Sequence, residues 1–186
     1  VRGKNGYLVI KSPWPAMTRG LLNDNDRYIK TYWSRFENIW FHGDYVFADE
    51  DNLWYMQGRS DDVINVSGHR MSTAEIEHAV ISHKKISDAA SISIPDELTG
   101  EAIVVFFVSN DKDDIDLESE IIEHISKKIG KIAKPKLIFQ LSDLPKTRTG
   151  KIMRRLLKAK LTGNLLGDLS SLENPDILDE INKLNK

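Results

Sequence analysis

Asp62-Val63-Ile64-Asn65-Val66-Ser67-Gly68-His69-Arg70-Met71-Ser72-Thr73-Ala74-Glu75-Ile76 is the stretch that sets the fold. Val63 to Val66 is a short β-type run, and Ser67-Gly68-His69-Arg70 reads as a turn after it. Ser72-Thr73-Ala74-Glu75 is a capping-box pattern that opens a helix. Ile76, Ala79 and Val80 continue it at helical spacing, and His83-Lys84-Lys85 suits the negative end of its dipole. Strand, turn and helix in 20 residues mark the entrance to a small α+β domain.

C-terminal to this entrance, Ala89–Ile94 and Ile103–Val108 are apolar runs of buried-strand type, joined through Pro95 to Gly100. Asp116 stands where it would cap a second helix, with Leu117, Ile121, Ile125 and Ile129 on one face. Leu137–Leu141 is a further strand. A basic, turn-rich loop follows, Leu144-Pro145-Lys146-Thr147-Arg148-Thr149-Gly150-Lys151, and then a basic helix through Lys160. The order predicts helices on one side of a short mixed sheet. Residues 162–186 carry little period, apart from a candidate terminal helix over Asp176–Leu184.

N-terminal to the entrance the texture is β-rich and aromatic. Tyr7–Ile10 is a strand stopped by Pro13-Trp14-Pro15, because proline removes a ladder donor. Asp44–Ala48, the acidic tip Asp49-Glu50-Asp51-Asn52, and Leu53–Met56 read as strand, turn and strand. The aromatic residues between Tyr28 and Phe41 are read as core rather than as a ligand platform.

The bulk composition excludes several classes. With 186 residues and a formal net charge of −2, nothing in the overall charge draws the chain to nucleic acid or an anionic membrane. There is no cysteine, hence no disulfide framework, thiol nucleophile or thiolate metal site. That fits a reducing compartment, and a cytoplasmic location is expected. No window has the apolar length of a membrane span. The first residues, Val1-Arg2-Gly3-Lys4, form neither a signal peptide nor a methionine start, so the chain is expected to begin inside a larger protein.

Between Lys134 and Lys160 there are nine basic residues and one acidic residue, Asp143. Ile152, Met153, Leu156, Leu157 and Leu161 give this segment an apolar face, so its charges read as a solvated face and no nucleic-acid partner is expected. The loop ending Gly150-Lys151 is not a Walker A loop. Pro145 occupies the place of the early glycine, and Ile152 follows the lysine where Ser or Thr is needed. Composition alone leaves this loop as a solvated basic turn. Asp61 and Asp62 read as a boundary, since neighbouring strand residues point opposite ways. His42, His69, His78, His83 and His124 show no metal-ligand spacing.

Several stretches together resemble the AMP-forming acyl-CoA synthetases of the adenylate-forming superfamily. They are Trp40-Phe41-His42-Gly43-Asp44, Gln57-Gly58-Arg59-Ser60-Asp61-Asp62, Asn65-Val66-Ser67-Gly68-His69-Arg70, Thr73-Ala74-Glu75-Ile76-Glu77, and Leu144 through Arg155. Pro13-Trp14-Pro15-Ala16-Met17 and the tail Gly167-Asp168-Leu169-Ser170-Ser171-Leu172-Glu173-Asn174-Pro175 resemble the acetyl-CoA synthetase (acetate–CoA ligase) branch. The resemblance covers nearly the whole chain. It implies three segments: residues 1–60 as the end of a large N-terminal domain, 61–161 as a small mobile C-terminal domain, and 162–186 as a tail.

The resemblance also implies roles. Asp44 would bind the ATP ribose, Arg59 and Arg70 would lie on the phosphate side of ATP or AMP, and Asp61 would be the hinge. Ser67 and Gly68 would face the CoA pantetheine. Lys151 would be the catalytic lysine of adenylation, bridging acyl carboxylate and α-phosphate as charge develops there. His83, with the backbone carbonyls of Ile81 and Ile86, would form a loop able to hold Mg2+. Ser126 stands where the family carries an arginine that contacts the CoA nucleotide. The implied substrates are acetate, ATP and CoA, with acetyl-AMP as intermediate, and a lysine acetyltransferase or deacetylase acting on Lys151 is an implied partner. The family's phosphate-holding loop and acyl pocket lie upstream of this segment, so the chain by itself is expected to be inactive. A propionate or longer-acid ligase, and a non-catalytic nucleotide- or CoA-binding module, stand as alternatives.

Overall fold

The computed structural model describes residues 2–110 and 115–184. Val1, Asn185 and Lys186, the outer ends of the expected first segment and tail, lie outside these residues. The chain divides into two compact units, Val1–Asp61 and Asp62–Lys186.

In the first unit, β1 (Asn5–Ile10), β2 (Trp40–Ala48) and β3 (Trp54–Arg59) form an antiparallel sheet in the order β1-β2-β3. The expected acidic tip joins β2 to β3. Asp49 Oδ1 accepts the Leu53 N–H at 2.8 Å, and Asn52 takes a positive φ of 62°. Helix α1 (Asn25–Tyr32) was not legible in the aromatic stretch. Its start is fixed by Asp24, whose side chain accepts the Arg27 N–H. Trp40 is buried, with the rings of Trp14, Tyr28, Tyr32 and Trp33 around it at centroid distances of 4.5–6.0 Å. Tyr28 and Trp40 are core, as expected, whereas Tyr32, Trp33, Phe36 and Phe41 are half-buried.

The second unit holds β4 (Ile64–Val66), β5 (His69–Met71), α2 (Thr73–Ile81), β6 (Ile86–Asp96), β7 (Gly100–Ser109), α3 (Leu117–Lys128), β8 (Leu137–Gln140), α4 (Arg154–Thr162) and α5 (Ile177–Asn182). The strands run β5-β4-β7-β6, with β8 parallel to β7 and the other pairs antiparallel. His69 and Arg70, expected in a turn, belong to β5. The turn itself is only Ser67-Gly68, both at positive φ (50° and 84°), between the paired residues Val66 and His69. That is the backbone of a two-residue hairpin whose twist matches its strands.

Helices cover both faces of this sheet, not one. Ile103, Val105 and Phe107 of β7 face Ile76 and Val80 of α2 and Leu117, Ile121 and Ile125 of α3. Ala102, Val104 and Phe106, one residue out of phase, face Leu157 and Leu161 of α4 and Ile177 and Ile181 of α5. Unbroken apolar runs such as Ile103–Phe107 are what a strand buried on both sides requires. The α2 start is as expected, with Ser72 Oγ accepting the Ala74 N–H at 3.1 Å. Asp116 does precede α3, but its side chain makes no capping bond there.

The outer edge of β6, which pairs with no strand among the described residues, is closed by a side chain. Glu77 of α2 accepts the Ser91 N–H at 2.8 Å, and the Arg154 guanidinium of α4 grips the same carboxylate with two bonds of 2.7 Å. One buried acid thus joins α2, β6 and α4. Hydrogen bonding to Glu77 raises the Arg154 pKa, against the opposing effect of burial.

Candidate functional site

In the first unit the candidate residues Asp44, Arg59 and Asp61 converge. Asp44 and Arg59 are cross-strand partners in β2 and β3. Arg59 Nη1 lies 3.5 Å from Asp44 Oδ1, and its Nε lies 3.2 Å from Asp61 Oδ1. Gly43 makes this approach feasible. A Cβ there would stand 2.6 Å from Arg59 Nη2, and the residue adopts φ +93°. His42, set aside by the sequence reading, places Nδ1 at 2.6 Å from Asp44 Oδ2. The available signal was its i, i+2 relation to Asp44, which puts both side chains on one face of a strand.

In the second unit the other candidates occupy two places. The Ser67-Gly68 turn sits at the tip of the β6–β7 ribbon, where the Ser67 N–H donates to Thr99 O at 2.9 Å. Asp96 organises that tip by accepting from the Leu98 and Thr99 N–H groups and from the Thr99 hydroxyl. Lys136 pairs with the same carboxylate. Its bond, followed by those from Thr99, holds the Asp96 pKa well below the ordinary carboxylate range. Glu101 ties β4 in by accepting the Asn65 N–H. Arg70 extends exposed from β5, opposite Asn65.

Lys151 sits on a three-residue hairpin, Arg148-Thr149-Gly150. Gly150 N–H donates to Thr147 O at 2.8 Å, Thr147 N–H donates to Lys151 O at 2.9 Å, and Gly150 takes φ +79°. A type I turn followed by a left-handed residue is the usual three-residue solution, and glycine fits it without strain. Lys146, at the base, is pinned by Asp88 and Asp143, each at 2.9 Å. Because Asp88 pairs with Val108 and Asp96 with Gly100, this anchor and the Ser67-Gly68 turn lie at opposite ends of the β6–β7 ribbon. Eight residues of strand at about 3.3 Å each separate them by roughly 26 Å.

The charges of the hairpin region are almost all engaged. Lys146 is held by its two acids, Arg154 by Glu77, and Arg155 by the carbonyls of Leu166 and Asp168. Arg148 approaches Glu173 at 3.9 Å. Among the described residues between Leu144 and Arg155, Lys151 alone presents an exposed ammonium without a partner. Hydrogen bonding to Asp143 raises the Lys146 pKa. Burial acts to raise that of Asp143, but bonds from Lys146, the Leu144 N–H and Asn174 outweigh it and leave the carboxyl below its usual value.

In the expected metal loop the oxygen donors would be the backbone carbonyls of Ile81 and Ile86, on either side of His83. His83 Nδ1 is buried and hydrogen-bonds to nothing among the described residues, while Nε2 faces Glu120 at 3.6 Å. Magnesium prefers oxygen ligands, so in this loop it would depend on the backbone carbonyls rather than on the imidazole nitrogen. The His83 carbonyl already accepts the Ile86 N–H at 3.1 Å. No group of three or more His, Cys, Asp or Glu is poised for a metal among the described residues. The Ser126 hydroxyl turns back to donate to Ile122 O at 2.8 Å. The neighbouring Lys127 pairs with Glu123 at 2.7 Å.

Residues 75–151 match the AMP-binding enzyme C-terminal domain. The chain is 47% identical over 183 residues to an acetyl-coenzyme A synthetase of Pyrobaculum arsenaticum, covering 97% of this chain and 27% of that protein. Residues 75–151 therefore belong to the AMP-binding enzyme C-terminal domain family. It is also 47% identical to acetyl-coenzyme A synthetase 1 of Candida albicans, over 95% of this chain and 27% of the relative. Among solved structures it is similar to the acetoacetyl-CoA synthetase of Streptomyces lividans, with a TM-score of 0.85 and 26% identity, over 98% of this chain and 28% of the other. The chain therefore spans about a quarter of the length of the AMP-binding enzymes it matches. The family match begins in α2 and ends at Lys151, so it takes in β6, β7, α3 and β8 but stops short of α4 and α5, which cover the second face of the sheet. No helix among the described residues is long and apolar enough to cross a membrane.

Proposed function

We propose that this chain is the C-terminal part of an AMP-forming acetate–CoA ligase. Residues 1–60 would end its large domain, 61–161 would form the mobile small domain, and 162–186 its tail. The observation that carries the reading is the free ammonium of Lys151, held out on a glycine-closed hairpin whose flanking cations Lys146 and Arg154 are both paired. A polyanion-directed lysine needs that combination of charge, reach and a fixed base.

In the first step an acetate oxygen attacks the α-phosphate of ATP. The bond to the bridging oxygen breaks, and acetyl-AMP and pyrophosphate form. Lys151 would lie between carboxylate and α-phosphate, where negative charge accumulates. Asp44 would accept the ribose hydroxyl protons, and Arg59 and Arg70 would lie toward the phosphates. In the second step the CoA sulfur attacks the acyl carbon, the thiol proton is lost, and AMP leaves with the electron pair of the acyl–oxygen bond. Ser67 and Gly68 would line the pantetheine path.

A separation of roughly 26 Å between the two ends of the ribbon favours an alternating scheme. One end serves adenylation and the other serves thioester formation, with Asp61 as the hinge between turns. Asp61 is the last residue of the first unit. Magnesium would enter with ATP as the substrate complex. The absence of cysteine fits a cytoplasmic setting, and the exposure of Lys151 fits modification by a lysine acetyltransferase, reversed by a deacetylase.

The test is Lys151→Ala in the full-length protein. ATP–pyrophosphate exchange should disappear while acetyl-CoA formation from supplied acetyl-AMP persists. Acetylation of Lys151 removes the same charge and should reproduce this split. Wild-type exchange in the alanine variant would sink the assignment.

A further inference from the structure

The tail beyond α4 returns to the Lys151 hairpin and consumes the backbone groups at its base. The Glu173 N–H donates to Lys146 O at 2.9 Å, and Thr147 bridges Leu172 in an antiparallel pair. The Lys146 N–H donates to Asn174 Oδ1 at 3.1 Å. The Asn174 amide nitrogen donates to Asp143 Oδ2 at 3.0 Å and to Leu144 O at 2.9 Å. Asn174 therefore uses its acceptor and both donor hydrogens on the segment that leads into the hairpin. Leu172 packs with Met153 and Leu156, which places the tail against the outgoing arm as well.

We propose that Asn174 is a positioning residue for adenylation: it fixes the base of the hairpin so that Lys151 arrives at a defined place. The inference rests on the proposed function, and it adds to it a tail residue that never touches substrate. The physical reason is the geometry of the lever. Lys151 has a flexible side chain, so its placement depends on the two hairpin arms. The incoming arm is anchored by Lys146, whose N–H and C=O both go to the tail and whose ammonium goes to Asp88 and Asp143. Asn174 also holds Asp143, and so couples the backbone anchor to the charged one. Without it, the Lys146 N–H loses its acceptor and Leu144 O its donor.

The hairpin and the Ser67-Gly68 turn share no part of this network, since the turn is fixed from the other end of the ribbon by Thr99 and Glu101. Loosening the hairpin should therefore slow one half-reaction and spare the other. A general loss of folding would lower both.

The experiment compares Asn174→Ala, Asn174→Asp and Lys151→Ala in the full-length protein. Aspartate keeps the size of asparagine but faces the Asp143 carboxylate and Leu144 O with an acceptor. Both Asn174 variants should lose on the order of 10- to 100-fold in ATP–pyrophosphate exchange, the scale that a misplaced reacting group produces. Their thioester formation from acetyl-AMP should stay within about twofold of the parent, which also reports that they fold. Parental exchange in both Asn174 variants, with Lys151→Ala inactive, overturns this inference and leaves the proposed function standing. An equal fall of both half-reactions overturns it too, because the role is then structural. Parental exchange in Lys151→Ala removes the function on which it rests.

Discussion

Replacing Glu77 with alanine would disconnect three elements at once. The residue is 8% exposed and Ser91 is fully buried, so neither the carboxylate nor the Ser91 N–H has ready access to water. Removing the carboxylate strands the Ser91 N–H, at about 1–3 kcal/mol for an unsatisfied buried donor. It also leaves the Arg154 cation unpaired. A fully buried pair broken this way costs about 3–5 kcal/mol, but the Arg154 side chain keeps 28% of its exposure and rehydrates in part, so its share falls to about 1–2 kcal/mol. The expected total is about 3 kcal/mol. With a urea dependence of about 1.5 kcal/mol per molar, the unfolding midpoint should fall by about 2 M. Far-ultraviolet circular dichroism is the suitable probe, because all four tryptophans (14, 33, 40 and 54) lie in the first unit and α2 to α5 in the second. The double variant Glu77→Leu with Arg154→Met removes both charges and should be more stable than Glu77→Ala, since only the Ser91 donor remains unmet. A midpoint within about 0.3 M of the parent for Glu77→Ala would refute the reasoning.

Two further outcomes follow from the hairpin. The Asp143 pKa lies below its unfolded value, so its pairing stabilises the fold above about pH 4 and is lost as pH falls through the folded value; the raised Lys146 contributes below about pH 10 and is lost as pH rises through its own. Lys146→Met should therefore move the Asp143 carboxyl titration, followed by NMR, to higher pH, and an unmoved midpoint would contradict the pairing. Gly150→Val puts a β-branched side chain at φ +79° and should reduce unfolding free energy by about 1–2 kcal/mol. Urea curves that superimpose on the parent would show that the turn tolerates it.

Local patterns made much of this molecule legible. The Ser72 cap, the apolar face from Leu117 to Ile125, the paired runs around Ala89 and Ile103, and the Ser67-Gly68 turn are decided by residues within one or two turns of chain. The motif resemblance named Asp44, Arg59, Asp61 and Lys151 for the same reason, since each sits in a short and recognisable stretch. The chain's period did not say that helices would cover both faces of the sheet. A buried strand is apolar on both sides whichever helix supplies the cover, so the assignment of α4 and α5 to the second face depended on how the chain returned.

The sequence by itself determined the elements, their approximate ends and the family-like motifs, because backbone sterics, capping and periodicity act over a few residues. Tertiary structure decided which polar groups meet across long separations. Glu77 finds Arg154, Asn174 finds Lys146 and Asp143, and His42 joins the Asp44–Arg59 cluster only once the β2–β3 register is set. Such bonds leave no periodic trace, because each depends on two segments brought together by apolar packing elsewhere.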